Sequence, residues 1–109
     1  MEARPREIRL YQTEQGKVPF RNWMDELEKY QYKAYGIIMR RIDRVESGNF
    51  GDCRAVGQGV SELRVDEGPG YRVYFGLDGN MAILLNGGTK KTQSSDIKTA
   101  QEYWKDYNA

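Results

Sequence analysis

Two arginines on either side of a tight turn are the residues best suited to chemistry in this chain. In the stretch ELRVDEGPGYRVYF, Leu63 and Val65 alternate with Glu62 and Arg64, and Tyr71, Val73 and Phe75 alternate with Arg72 and Tyr74. Successive side chains of a strand point to opposite faces. If the apolar set shares one core, Glu62, Arg64, Arg72 and Tyr74 share the other side. Closing two strands around DEGPG brings Arg64 roughly opposite Arg72, in this register or a neighbouring one. Like charges directly across a sheet cost some tenths of a kcal/mol up to about 1. An anion or a carboxylate between them would offset that cost. Glu62 is such a carboxylate, so a solvated Glu62–Arg64–Arg72 surface cluster explains the residues at least as well as an anion site.

A second candidate is NGGTKKTQSSDIKTA, which runs from a strand end through two glycines into a helix. Gly87 and Gly88 would let backbone come close to a ligand. Lys90 and Lys91 bring charge, Gln93 brings a neutral amide, and a helix amino terminus favours anions. A solvated loop with a helix cap is the plainer reading. The spacing is not that of a P-loop, and Asp96 reads as a first-turn helix residue rather than a base. Arg40, Arg41 and Arg44 form a third basic group, with Arg40 and Arg44 one helical turn apart. A solvated helix face and an RNA-backbone contact are both open for them. Phe20, Trp23 and Trp104 read as core or partner contacts.

Other chemistries fall away. There is no histidine and a single cysteine, Cys53, so neither a Cys-His pair nor a Ser-His-Asp triad can form. The histidine-containing and all-cysteine zinc sites are lost with them, and nothing calls for a cofactor or metal. One cysteine makes no internal disulfide, which fits a reducing compartment. A net charge of +1 neither requires nor forbids a nucleic-acid partner, because a local patch can sit on a neutral whole. The longest apolar run, residues 81–85, is too short to span a bilayer, and MEARPREIRLYQ lacks the apolar core of a signal peptide. A cytoplasmic protein, 1–109 as one domain, is expected.

The elements that must position these residues follow from periodicity. Residues 6–12 alternate as a first strand. Pro19 opens a helix whose Phe20, Trp23, Met24 and Leu27 form a buried stripe. A second helix runs over residues 32–47, with Tyr35, Ile38, Ile42 and Val45 inward and Gly48 at its end. Residues 61–65 and 71–77 are strands, Asp78-Gly79 marks a hairpin, and residues 80–86 are apolar on both faces, as in mid-sheet. Gly87-Gly88 ends that strand, and Ser94 or Ser95 caps a last helix carrying Ile97, Ala100 and Trp104 on one side. The order is α+β: an antiparallel sheet of about four strands against an N-terminal helical hairpin, with a C-terminal helix. No helix-turn-helix speaks for DNA binding by this chain alone.

Taken together, PFRNWMDEL, RIDRVESGNFGD, ELRVDEGPGYRVYF, LLNGGTKKTQSSDI and AQEYW resemble the RelE/HigB-type toxins of type II toxin–antitoxin modules, and most closely the branch called addiction-module killer proteins. The resemblance runs through nearly the whole chain. It implies a RelE-like fold, metal-independent and ribosome-dependent mRNA cleavage, and neutralisation by a cognate antitoxin, commonly a helix-turn-helix protein. On the family's pattern Arg72 is the arginine of the G-Y-R stretch, Lys90 (or Lys91 with a one-residue shift) is the basic residue after the next strand, and Arg64 follows the preceding leucine. These three, with Glu62 as proton acceptor or arginine-orienting partner, form the expected catalytic set. Lys91, Gln93, Tyr74, Arg40 and Arg44 form the expected RNA-binding set. Members often use a histidine or tyrosine near the chain end for proton transfer; this chain departs in having no histidine, in placing Asp96 or Ile97 near where the tyrosine would be expected, and in carrying Glu62 where some members have lysine. A gyrase-directed toxin of the ParE branch and an inactive interaction protein of the same fold are the alternatives.

Overall fold

The computed structural model describes residues 4–109; residues 1–3, part of the stretch read as lacking a signal peptide, lie outside it. The chain folds as β1 (Glu7–Leu10), α1 (Pro19–Tyr30), α2 (Tyr32–Glu46), β2 (Cys53–Gly57), β3 (Val60–Val65), β4 (Tyr71–Asp78), β5 (Met81–Thr89), a short 3-10 turn (Lys90–Thr92) and α3 (Gln93–Tyr107). This is the α+β order expected, with one more strand than about four. The five strands lie in the order β1-β5-β4-β3-β2.

That order has a simple cause. The α1–α2 hairpin carries the chain from one sheet edge to the other, and β2 to β5 then return by antiparallel steps. Each step reverses direction, so β5 arrives beside β1 parallel to it, with Ile8 against Ala82 and Leu10 against Leu84. The sheet is therefore mixed rather than wholly antiparallel. With its C-terminal helix, the arrangement is consistent with a RelE-like fold.

Both faces are covered. Phe20, Met24 and Leu27 of α1 and Ala34, Ile38, Ile42 and Val45 of α2 pack on Leu63, Val65, Val73 and Phe75. On the opposite face Ile97, Ala100, Tyr103 and Trp104 of α3 pack on Val60, Tyr74, Ile83 and Leu85. Strand β5 lies between β1 and β4, so residues 82–85 are buried on both sides, as their unbroken apolarity requires.

One irregularity decides which residues face the site. Phe75 pairs with Leu84 and Tyr74 with Asn86, leaving Leu85 as an extra residue in β5. Such a bulge resets the alternation. Leu85 and Asn86 fall on the same face, and Gly88 rather than Gly87 lands across from Arg72. The glycine pair thus lies inside β5 and does not end it. A side chain on Gly87 would meet the Trp23 ring, and one on Gly88 would meet the Asp96 carboxylate. The two glycines admit neighbouring side chains of this chain, where a ligand's approach was expected. Likewise α3 starts at Gln93 behind a helical turn that begins at Lys90, and the Ser95 hydroxyl donates back to the Thr92 carbonyl (3.1 Å). Neither Ser94 nor Ser95 is the cap.

Candidate nucleic-acid interface

Two adjacent rows of residues cross the α3 face of the sheet. In the first, Arg64 on β3, Arg72 on β4 and Gly88 on β5 stand in register. In the second, Arg54 on β2, Glu62, Tyr74 and Asn86 stand in register. Alternation alone placed Glu62, Arg64, Arg72 and Tyr74 together, and the strand pairing makes Arg64 and Arg72 direct neighbours.

Glu62 is wholly buried and fully engaged. Its Oε1 accepts from Arg54 Nε (3.2 Å) and Arg64 Nε (3.3 Å), and its Oε2 accepts from Gln93 Nε2 (2.8 Å). Burial pushes the carboxyl up, but the hydrogen bonds from Gln93, Arg64 and Arg54, with the Tyr74 phenol beside them, outweigh it and hold Glu62 below the usual carboxylate range. A buried carboxylate with its oxygens occupied and its affinity for protons lowered orients arginines. It is not placed to accept a substrate's proton. Gln93, expected on the RNA, directs its amide to Glu62. Tyr74, also expected on the RNA, is completely covered, which removes it from any contact surface. Its hydroxyl meets no hydrogen-bond partner, and burial followed by the Glu62 charge raises its pKa.

Arg72 is the exception in this network. Only 9% of its surface is exposed, its Nε is buried without a hydrogen-bond partner, and no carboxylate pairs with it among the described residues. Glu62 takes Arg54 and Arg64 instead. Lys90 and Lys91 are exposed where β5 ends, and the Lys90 N–H donates to the carbonyl of Gly70 (2.8 Å), two residues before Arg72. Asp96 lies in the first turn of α3, takes the Thr92 hydroxyl and covers Gly88.

Around the sheet edge the two faces meet. A cavity of about 210 Å³ is lined by Ile37, Arg40, Arg41 and Arg44 of α2 together with Arg64 and Asp66. The structure therefore joins Arg40 and Arg44 to Arg64; Arg72 and Lys90 do not line this cavity. A wider concavity, about 740 Å³, follows α3 past Lys98, Gln101, Trp104 and Lys105, away from every candidate residue.

The sequence reading missed Arg54 and left Arg41 out of the expected RNA-binding set. Arg54 was invisible because no local rule sets the register of β2 against β3. Arg41 was grouped with its neighbours, but the spacing of Ile37, Arg40, Arg41 and Arg44 already describes a single helical face. Among the described residues, no cluster of three or more His, Cys, Asp or Glu side chains is placed to hold a metal ion, and no helix is long and apolar enough to cross a membrane.

The chain is similar to known proteins over most of its length. A protein of Haemophilus influenzae (strain Rd), described only as uncharacterized, is 48% identical over 83 residues, covering 75% of this chain and 82% of that protein. Residues 22–105 match the family described as phage derived protein Gp49-like (DUF891). That span takes in both rows, the arginine-lined cavity and the lysines after β5, and the chain belongs to the Gp49-like family, a toxin-like family of addiction modules.

Proposed function

We propose that this protein is the toxin of a type II toxin–antitoxin pair, of RelE-like descent, acting in the cytoplasm as one domain over residues 1–109. It cleaves mRNA in the decoding site of the ribosome and is silenced by a cognate antitoxin, a helix-turn-helix protein. The observation that carries this reading is Arg72: a nearly buried arginine with no carboxylate partner among the described residues, its Nε without an acceptor there, facing a second arginine. A buried donor with no acceptor costs about 1–3 kcal/mol, and a facing like charge adds to that. An anion in the site relieves both.

RNA supplies its own nucleophile. The 2′-oxygen attacks the adjacent phosphorus as its proton leaves, the bond from phosphorus to the 5′-oxygen breaks, and that oxygen takes up a proton. The products are a 2′,3′-cyclic phosphate and a free 5′-hydroxyl, so no metal-bound water is needed. Negative charge grows on the phosphoryl oxygens, and Arg72 with Lys90 meets it. Arg64, held by Glu62, supplements them from a fixed position, and Lys91 holds the next nucleotide. A preorganised donor of this kind contributes about 3 kcal/mol.

The test is transcript cleavage in a translating extract. Wild-type protein is expected to cut mRNA, and Arg72→Ala to cut it at least about 100-fold more slowly while keeping its fold by circular dichroism. Equal cleavage by the variant removes Arg72 from the reaction. Intact transcripts together with inhibited gyrase supercoiling would replace the proposal with the ParE-like alternative.

A further inference from the structure

The cavity between α2 and the end of β3 has the construction of an anion site. Arg40, Arg41, Arg44 and Arg64 line it against a single carboxylate, Asp66. Arg41 is fixed in place: its Nη2 donates to the carbonyls of Phe50 (3.1 Å) and Asp52 (3.2 Å). The chain passes close by at Gly51, where φ is +64° and a Cβ would sit 3.3 Å from Arg41 Nη2, so the absent side chain makes room for the guanidinium. The other nitrogen, Arg41 Nη1, is buried with no partner among the described residues. Burial, and then the charge of Arg44, lowers the Arg41 pKa from its ordinary value, the mark of a cation crowded by its like.

We infer that this cavity binds a backbone phosphate of the RNA substrate outside the scissile position, with the anchored Arg41 in its wall and Arg40, Arg44 and Arg64 around it. The inference rests on the RNA-cleaving reading and extends it by one subsite. Phosphate is favoured by continuity. Arg64 belongs both to this cavity and to the row that holds Arg72, so a strand whose scissile phosphate lies at Arg72 has its next charges beside α2.

The experiment uses a fluorescent 2′-O-methyl RNA oligonucleotide, which cannot cleave itself, and follows its anisotropy at a series of salt concentrations. Arg40→Gln/Arg44→Gln alters exposed side chains only and spares the Arg41 anchor. Each phosphate contact to single-stranded nucleic acid contributes about 0.7 to the slope of log K against log salt. The double variant is expected to lose at least about that much slope, and Arg41→Gln, if it folds, to do the same. A polyglutamate peptide of equal charge should compete poorly, because it lacks the tetrahedral oxygens. Wild-type slope in the double variant, or competition by polyglutamate equal to that of RNA, overturns the site while cleavage in the extract still stands. A wild type inert in both assays overturns the reaction and the site together. A wild type that cleaves in the extract but binds the oligonucleotide without salt dependence overturns the site alone.

Discussion

Arg72 and Glu62 face the same side of the sheet and have opposite energetic signs. Glu62 is a buried anion with three donors, so it stabilises the fold, and its lowered pKa makes that contribution depend on pH. A carboxyl whose folded pKa lies below the unfolded value of about 4.3 stabilises above that value and loses its contribution as pH falls through the folded pKa. Urea melts across the acid range should therefore show wild-type stability falling below about pH 4.3 more steeply than that of Glu62→Gln. Parallel curves would mean that the arginines do not hold the carboxylate. Arg72 has a buried nitrogen with no acceptor, so replacing it with an apolar side chain of similar length should stabilise. Arg72→Met is expected to gain about 1 kcal/mol in urea unfolding, within the desolvation range of such a group, while losing cleavage. A clear loss of stability would show that Arg72 has a structural partner after all.

At the scale of elements, the bulge in β5 governs how α1 and α3 seat on the sheet. It turns Gly87 toward Trp23 and Gly88 toward Asp96, so each glycine admits a different helix-borne group. The two sites differ in how far they can yield. The Trp23 ring is rigid and packed against Phe20 and Tyr71, whereas the Asp96 carboxylate can swing on its side-chain bonds. Gly87→Ala should therefore cost about 2 kcal/mol or more, in the range of core overpacking, and Gly88→Ala distinctly less. Chemical denaturation of both variants checks the order. The reverse order would mean that the N-terminus of α3, not the core under α1, is the tighter contact. Strand β3 is set by the same logic, since its Leu63 and Val65 enter the helical core while Glu62 and Arg64 enter the site.

The whole molecule is a central β4–β5 ribbon with progressively thinner cover toward its edges. Tyr71 to Gly76 and residues 82–86 are buried without interruption, while β1 and β2 hold only exposed and half-buried residues. Amide exchange is expected to be slowest in β4 and β5 and fastest, among strands, in β1 and β2. Equal protection across the sheet would contradict that gradient. The gradient suits the proposed cleavage of a large polyanion: Arg72 stands on a well-protected strand, while Arg40 and Arg44 lie exposed at the periphery.

Much of this was legible in the chain itself. Periodicity gave both hairpin helices and their inward stripes, and alternation in ELRVDEGPGYRVYF put Arg64 and Arg72 on one face, because a strand's two-residue period is a local property. The family resemblance followed from the same segments. What no local rule could supply were relations between segments distant in sequence: the parallel join of β1 to β5, the register that couples Arg54 to Glu62, and the approach of α2's arginines to Arg64. The covering of Tyr74 belongs here too, since a residue on the polar side of a strand is exposed only until another element packs over it. Those relations arise when burial against α3 and the meander's direction choose one arrangement from many that the same local patterns allow. Residue types and spacing determined which side chains travel together, and the tertiary packing decided which of them remain unpaired and free to meet an anion.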